Sequence, residues 1–237
     1  MTEGAASSLR DRLERIRKDL RSAEERAGRE PGVVKLLAVT KKVSPATIRE
    51  AWELGVRAFG ENYVQEALAK ADELPPDIEW HFIGRLQTNK AKLAVERFSV
   101  IECLDRPSLA DALENAARSR GIRVRVLVQV NAAGEETKAG APPEGAVELV
   151  RRAPEWPHLE FGGLMVIPPY SLDPEETRPH FRALRELRDR IAALRLPGVD
   201  LRELSMGMSG DYEVAVEEGA TIVRIGTALF GPRVPSE

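Results

Sequence analysis

The sequence predicts an α/β fold, a single (β/α)8 TIM barrel with an extra N-terminal helix. Short apolar segments alternate with helical segments along nearly the whole chain. About eight strand–helix pairs follow the first helix, which is the number that closes such a barrel. The length of 237 residues is near the roughly 250 of a typical barrel and leaves only short loops. An open, doubly wound sheet is compatible with the same order but usually needs fewer strands.

The first predicted element is an amphipathic helix over residues 8–28. Its apolar residues recur at three- and four-residue spacing, as Leu9, Leu13, Ile16 and Leu20. Ser7 or Ser8 is placed to cap the first turn, and Gly28 ends the helix. Because this helix lies outside the repeating units, we expect it either to plug the bottom of the barrel or to pack on its side.

Each later strand is predicted from a short apolar run, and each helix from the segment that follows it. Ser44 and Pro45 illustrate a helix start, since serine caps and proline suits the first helical position. The predicted strands lie at 33–40, up to 60, 80–84, 99–104, 124–131, 161–167, 204–206 and 221–225. The predicted helices lie at 45–54, from 62, 87–97, 107–120, 144–152, up to 196, 211–218 and 227–230.

Composition excludes several classes of protein. The net charge of -3 gives no reason to expect nucleic acid as a partner, and no apolar run near 18 residues predicts a membrane span. The charged N-terminus lacks a signal-peptide stretch, so we expect a cytoplasmic protein. The single cysteine, Cys103, and the three widely spaced histidines predict neither a disulfide nor a metal site. A closed barrel needs no partner strand, so we expect a monomer.

A lysine pair, Lys41 and Lys42, follows the first predicted strand. Functional side chains of these barrels lie where strands end. A lysine partly shielded from water loses its charge more easily, and the neutral amine is the form that makes Schiff bases with carbonyl groups. Alternation along the strand allows only one of the two lysines to point inward. The alternative is that both are ordinary solvated loop lysines.

The last predicted strand carries Arg224 between apolar residues. If Val223 and Ile225 face the helices, Arg224 lies inside the barrel near its mouth. A guanidinium there needs an acceptor, either an inward carboxylate or a ligand.

Gly226 and Thr227 then open a short helix whose free N–H groups favour an anion. Barrels of this class frequently bind phosphate after strands seven and eight. The small residues at 205–210 let backbone approach a ligand closely, although the lysine of a P-loop is absent.

An amine, an inward guanidinium and a phosphate turn at one barrel mouth match pyridoxal 5′-phosphate (PLP), a phosphorylated aldehyde. The lysine would take the aldehyde, the helix terminus the phosphate and the arginine the ring nitrogen. A sugar-phosphate isomerase that uses the phosphate turn without a Schiff base is an alternative from the enzyme class.

Six segments carry longer motifs in a fixed order along the chain. They are LLAVTK (36–41), FGENYVQEA (59–67), WHFIGRLQTNK (80–90), LVQVNAAGEETKAG (127–140), GGLMVIPP (162–169) and SMGMSGDYEVAVEEGATIVRIGTALFG (205–231). In these motifs the chain resembles the pyridoxal-phosphate homeostasis proteins, barrels similar to the N-terminal domain of alanine racemase. The resemblance implies one PLP-binding TIM-barrel domain over residues 1–237.

The resemblance also implies roles for single residues. Lys41 matches the lysine that forms the Schiff base, and Arg224 matches the arginine that faces the pyridine nitrogen. Ser209, Gly226 and Thr227 match the phosphate-binding turns.

Further candidates follow from the same resemblance. Asn62 matches a pocket residue, and Lys138 lies on the loop after the fifth strand, where it would meet a ligand carboxylate or a second phosphate. Met208 and Met165 either pack against the cofactor ring or belong to the core. His81 is expected to be a hydrogen-bonded strand histidine.

The function implied is non-catalytic. The protein would hold PLP on Lys41, buffer it within the cell and deliver it to apo PLP-dependent enzymes, with no catalytic residue of its own. A guanidinium leaves the ring nitrogen unprotonated, which makes the ring a poorer electron sink. Alanine racemase adds a tyrosine base from a second domain, and the three tyrosines here give no clear counterpart. The alternative is a PLP-dependent amino-acid racemase with Lys41 as one base.

Overall fold

The structure, a computed structural model, describes residues 7–132, 134 and 139–232, which form a closed barrel of eight parallel strands. The strands pair in sequence order, and β8 pairs with β1 to close the barrel. The strands are β1 Lys35–Val39, β2 Ala58–Glu61, β3 Glu79–Phe82, β4 Val100–Leu104, β5 Val124–Val130, β6 Leu159–Val166, β7 Val199–Ser205 and β8 Ile222–Ile225. The predicted fold class is confirmed.

Helices follow the strands on the outside of the barrel. They are α1 Leu9–Arg26, α2 Pro45–Glu53, α3 Val64–Ala71, α4 Ala91–Arg97, α5 Pro107–Arg120, α6 Pro143–Arg151, α7 Arg178–Ala192, α8 Tyr212–Glu217 and α9 Thr227–Phe230. Short 3-10 turns precede α4 and α7 and follow α6, at Thr88–Lys90, Pro174–Thr177 and Ala153–Glu155. The largest departure from the predicted bounds is β7, which begins five residues before 204.

The extra helix α1 packs on the side of the barrel and does not plug its bottom. Ser8 caps it, because the Ser8 hydroxyl accepts from the N–H of Asp11 and the Asp11 carboxylate accepts from the N–H of Ser8. The apolar face of the helix lies across α8 and α9. The hydroxyl of Tyr212 on α8 donates to Asp19 at 2.9 Å, which ties the two helices together.

Two apolar layers surround the strands. The outer layer lies between strands and helices and contains most of the buried apolar residues. The inner layer fills the barrel and is smaller, with Leu37, Ala58, Ile83, Val100, Leu127, Met165 and Ile222. Side chains alternate between the two layers along each strand, so the inner-layer residues show which positions face the barrel interior.

Among the described residues, none of the helices combines the length and the apolar character that crossing a bilayer requires. A single domain over residues 1–237 stays a prediction.

Candidate functional site

Lys41 lies at the mouth of the barrel, directly after β1. Leu37 belongs to the inner layer and Val39, the last residue of β1, packs against it. Lys41 lies two residues further on, in a turn that the N–H of Val43 closes on the oxygen of Thr40 at 2.9 Å. Its Nζ lies 5.3 Å from the centroid of the Tyr63 ring. Lys42 is exposed and has a φ of 60°, so the chain turns there. Of the two lysines, Lys41 is therefore the less exposed.

A buried polar cluster anchors the backbone on both sides of Lys41. The ammonium of Lys70 on α3 donates to the backbone oxygen of Thr40 at 2.8 Å, to Glu61 Oε1 at 2.8 Å and to Glu66 Oε1 at 2.7 Å. The same oxygen of Glu66 accepts from the backbone N–H of Lys42 at 2.5 Å. Burial raises the pKa of Glu61, against the hydrogen bond and charge of Lys70.

Sequence reasoning did not find this cluster. Glu66 and Lys70 are four residues apart on a helix, which is a visible pairing signal. Nothing local indicates that Lys70 also reaches Thr40, which lies thirty residues earlier. Tyr63, which contacts Lys41, was likewise given no place at the mouth.

Strand β8 directs Arg224 into the barrel, as strand alternation predicts. Its neighbours Val223 and Ile225 belong to the outer layer, so Arg224 faces the opposite way. Arg224 pairs in register with Leu37 of β1, four residues before Lys41. The guanidinium and the lysine therefore come from neighbouring strands, with Arg224 starting deeper in the barrel.

The guanidinium of Arg224 is buried, with 3% of the residue exposed. Its Nη1 donates to Ser205 Oγ at 2.8 Å, and its Nη2 donates to the backbone oxygen of Val166 at 2.7 Å. Burial lowers the pKa of Arg224, while the nearby charges of Glu102 and Asp211 oppose that change. The Arg224 side chain remains a cation at any physiological pH.

The turn between β7 and α8 is held against the start of α9. Gly207 has a φ of 89°, and a Cβ there would lie 2.5 Å from the Cβ of Ala215, so the position requires glycine. The Ser209 hydroxyl accepts from the backbone N–H groups of Gly226 at 3.3 Å and Ala228 at 3.1 Å. The candidates Ser209 and Gly226 are therefore adjacent in space.

Met208 and Thr227 flank this contact. The backbone N–H of Met208 donates to Asp211 Oδ1 at 2.6 Å, which fixes the turn. Burial raises the pKa of Asp211, although its backbone hydrogen bond with Met208 acts in the other direction. Met208 is half-buried, and Thr227 is the exposed first residue of α9.

Asn62 lies at the end of β2, on the edge of a cavity of about 790 Å³ that also includes Tyr63 and Arg85. The backbone of Asn62 is closely covered, since a Cβ on Gly84 would lie 2.1 Å from the Asn62 oxygen. The candidate Lys138 lies outside the described residues.

Met165 is fully buried in the inner layer of the barrel, which is the core role that the sequence left open. His81 is also fully buried and is hydrogen-bonded on both ring nitrogens, to Glu102 and Glu79. No group of three or more His, Cys, Asp or Glu side chains within the described ranges could hold a metal ion.

Comparison with known proteins places the chain in a family. The sequence family described as "Alanine racemase, N-terminal domain" matches residues 12–234. The pyridoxal phosphate homeostasis protein of Aquifex aeolicus is 51% identical over 224 residues, which cover 94% of this chain and 97% of that protein. The chain belongs to the pyridoxal phosphate homeostasis protein family. The resemblance read from the motifs is therefore confirmed.

Solved structures agree with this family assignment. PipY of Synechococcus elongatus, a structure with PLP bound, is 38% identical with a TM-score of 0.82, and the match covers 94% of this chain and all of PipY. Alanine racemase of Clostridium difficile shares the fold at 13% identity and a TM-score of 0.72. The match covers 97% of this chain but only 57% of the racemase. The fold of this chain thus corresponds to part of the racemase chain.

Proposed function

We propose that this protein binds PLP as a Schiff base on Lys41 and acts in PLP homeostasis, with little or no catalytic turnover. PLP supplies an aldehyde that condenses reversibly with an amine. Lys41 provides the amine, Arg224 donates to the ring nitrogen, and Ser209 with Gly226 and Thr227 binds the phosphate. Asn62, Met208 and Lys138 complete the proposed pocket.

The observation that carries the proposal is that Arg224 lies on β8 and Lys41 directly follows β1, the strand that pairs with β8. Two of the five N–H donors of Arg224 bond to protein oxygens, and no further hydrogen bond from Arg224 occurs within the described residues. The remaining donors suit the lone pair of a pyridine nitrogen. The backbone N–H groups at the start of α9, which donate to the Ser209 hydroxyl, suit a phosphate.

A carrier role is favoured by the same residues. A permanent cation opposite the ring nitrogen keeps that nitrogen unprotonated and weakens the ring as an electron sink. Tyr212 donates its hydroxyl to Asp19 on α1, so it is committed to the outer side of the barrel. We therefore propose that the protein buffers PLP and delivers it to apo PLP-dependent enzymes. Monomeric state and cytoplasmic location stay predictions of the sequence.

The position of Tyr63 favours a second candidate function. Its ring lies beside the amine of Lys41, and a PLP-dependent amino-acid racemase needs a second base near that lysine. Rapid exchange of the α-hydrogen of alanine for deuterium, lost in both Lys41→Ala and Tyr63→Phe, would establish the racemase and contradict the carrier role.

The decisive experiment locates the covalent link. The protein is mixed with PLP, reduced with borohydride, digested and mapped by mass spectrometry. We expect the reduced label on Lys41, because Lys41 is half-buried beside the Tyr63 ring, whereas Lys42 is exposed at the turn. The absorbance band of bound PLP should disappear in Lys41→Ala.

Lys42→Ala is the matched control, since it removes the neighbouring amine. It should keep both the band and the label. A label found only on Lys42 would overturn the assignment of the residue. No uptake of PLP by the wild-type protein would overturn the proposed function and favour an isomerase that uses the phosphate turn alone.

A further inference from the structure

A row of hydrogen-bonded polar side chains crosses the interior of the barrel from its lower end to Arg224. We call these six side chains the polar row: Lys35, Glu79, His81, Glu102, Ser205 and Arg224. They come from β1, β3, β4, β7 and β8. The row replaces apolar contacts inside the barrel with charged groups.

The lower part of the polar row reaches the N-terminal end of the barrel. Lys35 Nζ donates to Glu79 Oε1 at 2.9 Å, and His81 Nε2 donates to the same oxygen at 3.1 Å. Lys35 and Glu79 line a cavity of about 250 Å³ at that end. This end of the row is therefore close to solvent, whereas His81 is fully buried.

The upper part of the polar row is buried throughout. His81 Nδ1 donates to Glu102 Oε1 at 2.6 Å, and the Ser205 hydroxyl donates to Glu102 Oε2 at 2.5 Å. Arg224 Nη1 donates to Ser205 Oγ at 2.8 Å. Glu102 therefore accepts from two sides, and Ser205 connects its carboxylate to the guanidinium.

The charges along the polar row alternate in sign. Both ring nitrogens of His81 face carboxylate oxygens, so both need a hydrogen, as in imidazolium. Burial lowers the pKa of His81, but hydrogen bonds to Glu102 and Glu79 outweigh burial and raise it to about 9. Burial raises the pKa of Glu102, yet the hydrogen bond and charge of His81 bring it below the ordinary value. His81 is therefore a cation and Glu102 an anion at neutral pH.

Resting on the proposed function, we propose that His81, Glu102 and Ser205 are positioning residues for Arg224, and that they couple the proton on His81 to ligand binding at the mouth. Buried ion pairs seldom stabilise a fold more than apolar side chains of similar size. Stability alone therefore does not require charged groups inside the barrel, because apolar side chains that continue the inner layer would serve it as well. The polar row instead ends on the one guanidinium that we place against the ring nitrogen.

The coupling follows from the single hydrogen of the Ser205 hydroxyl. While Glu102 is an anion, that hydrogen points to Glu102 and a lone pair of Ser205 accepts from Arg224. When His81 loses its proton, Glu102 loses its cationic partner. The Glu102 carboxylate is then attracted mainly to the guanidinium of Arg224. The guanidinium is then drawn deeper into the barrel and away from a ligand.

Within the described residues, the charged groups that act on His81 belong to the polar row. Glu79 lies on β3 with His81, Glu102 lies on β4, and Lys35 on β1 is bonded to Glu79. On β2 the residue paired with His81 is Gly60, which carries no charge. A change in the titration of His81 therefore reports on the polar row.

The test follows the imidazole NMR signals of His81 against pH, with and without pyridoxine 5′-phosphate. This probe has the ring nitrogen and phosphate of PLP but no aldehyde, so it binds without Lys41. In the wild-type protein we expect the probe to raise the pKa of His81, because its ring nitrogen holds Arg224 at the mouth and leaves Glu102 to pair with His81. By reciprocity, the affinity of the wild-type protein for the probe should fall about threefold or more as His81 deprotonates.

Ser205→Ala breaks the row while keeping the pair of His81 and Glu102. In this variant the probe should still bind, but the pKa of His81 should no longer respond to it. The control is Thr221→Val, which removes a hydroxyl bonded to the N–H of Leu204 on the same strand and should behave as wild type.

Glu102→Gln provides a second variant of nearly the same shape. We expect it to lower the pKa of His81 even without the probe, and to abolish the dependence of probe affinity on that proton. If the probe binds the wild-type protein without changing the titration of His81, the coupling is overturned while the proposed function stands. If the probe does not bind the wild-type protein, the proposed function itself fails.

Discussion

At the scale of single residues, Lys70 holds the backbone directly before Lys41. Its ammonium holds the backbone of Thr40 and the carboxylates of Glu61 and Glu66. Lys70→Met keeps the length and the apolar stem but leaves the buried Glu61 without its cation. We expect the free energy of unfolding to fall by about 3–5 kcal/mol, the usual effect of breaking a buried ion pair.

Denaturant unfolding measures that loss, and the rate of PLP incorporation should fall with it because the turn around Lys41 loses its anchor. Lys92→Met, at an exposed position on α4, is the matched control and should change neither quantity. Adding Glu61→Gln to Lys70→Met should recover part of the stability, because the double variant no longer buries the Glu61 charge without a cation. A single variant as stable as wild type would show that the cluster does not hold the turn.

Single residues also show how far the sequence can go. The inward position of Arg224 follows from alternation along β8, because its neighbours Val223 and Ile225 belong to the outer layer. For the two lysines, alternation predicts only that one of them points inward, and it was the resemblance that selected Lys41. The contact of Lys70 with Thr40 does not follow, because it depends on how α3 leans over the end of β1. Such a contact is fixed by tertiary packing, and no local pattern encodes it.

At the scale of elements, α1 supports the helices that frame the proposed phosphate turn. Leu13 is 1% exposed and packs in the outer layer. Arg12 on the same helix donates through Nε to the backbone oxygen of Leu229 at 2.6 Å. We expect Leu13→Ala to lower the free energy of unfolding by about 2–5 kcal/mol, because it leaves a cavity beneath the helix.

The control for this prediction is Glu14→Ala on the exposed side of α1, which should alter stability by no more than about 0.5 kcal/mol. Thermal unfolding of both variants is the measurement. Because both substitutions introduce alanine, a difference between their effects on Tm reports on the packing of Leu13 and not on helix propensity. Equal effects of the two substitutions would mean that α1 contributes little to the folded barrel.

The element that the sequence predicted least well is β7. Asp200 and Arg202 are exposed near its start, and Glu203 bonds to Arg125 of β5 at 3.2 Å. Charged side chains are tolerated there because this part of the strand lies near the barrel end, where water reaches them. The apolar pattern therefore marks only the buried end of the strand, near Leu204, whereas amphipathic helices such as α5 were predicted to the residue.

At the scale of the whole molecule, closure of the barrel creates contacts that no segment contains. The hydroxyl of Ser205 donates to Glu102, which is 103 residues earlier in the sequence. The sequence alone predicts a hydrogen-bonded His81 but does not supply its partner. That partner follows only once β3 and β4 are paired and β7 faces them across the interior.

The same interior charges predict how stability depends on pH. The pKa of His81 is about 9 in the folded protein, against 6.5 as its ordinary value. A raised pKa means that the folded state holds the proton more tightly, so this contribution is complete below pH 6.5 and is lost as the pH rises through 9. The difference amounts to about 3 kcal/mol, which for a chain of this length lowers Tm by about 6–12 °C.

Thermal unfolding of the wild-type protein and Glu102→Gln across this pH range tests the origin of the loss. In Glu102→Gln the pKa of His81 lies nearer its ordinary value, so the fall in Tm over the same range should be much smaller. Buried Cys103 and Tyr212 also have raised pKa values, but their contributions begin to fall only above their ordinary pKa values of 9 and 10. A wild-type decline that is equally steep in Glu102→Gln would show that His81 is not its source, because that substitution removes the stronger of the two carboxylates that hold the proton.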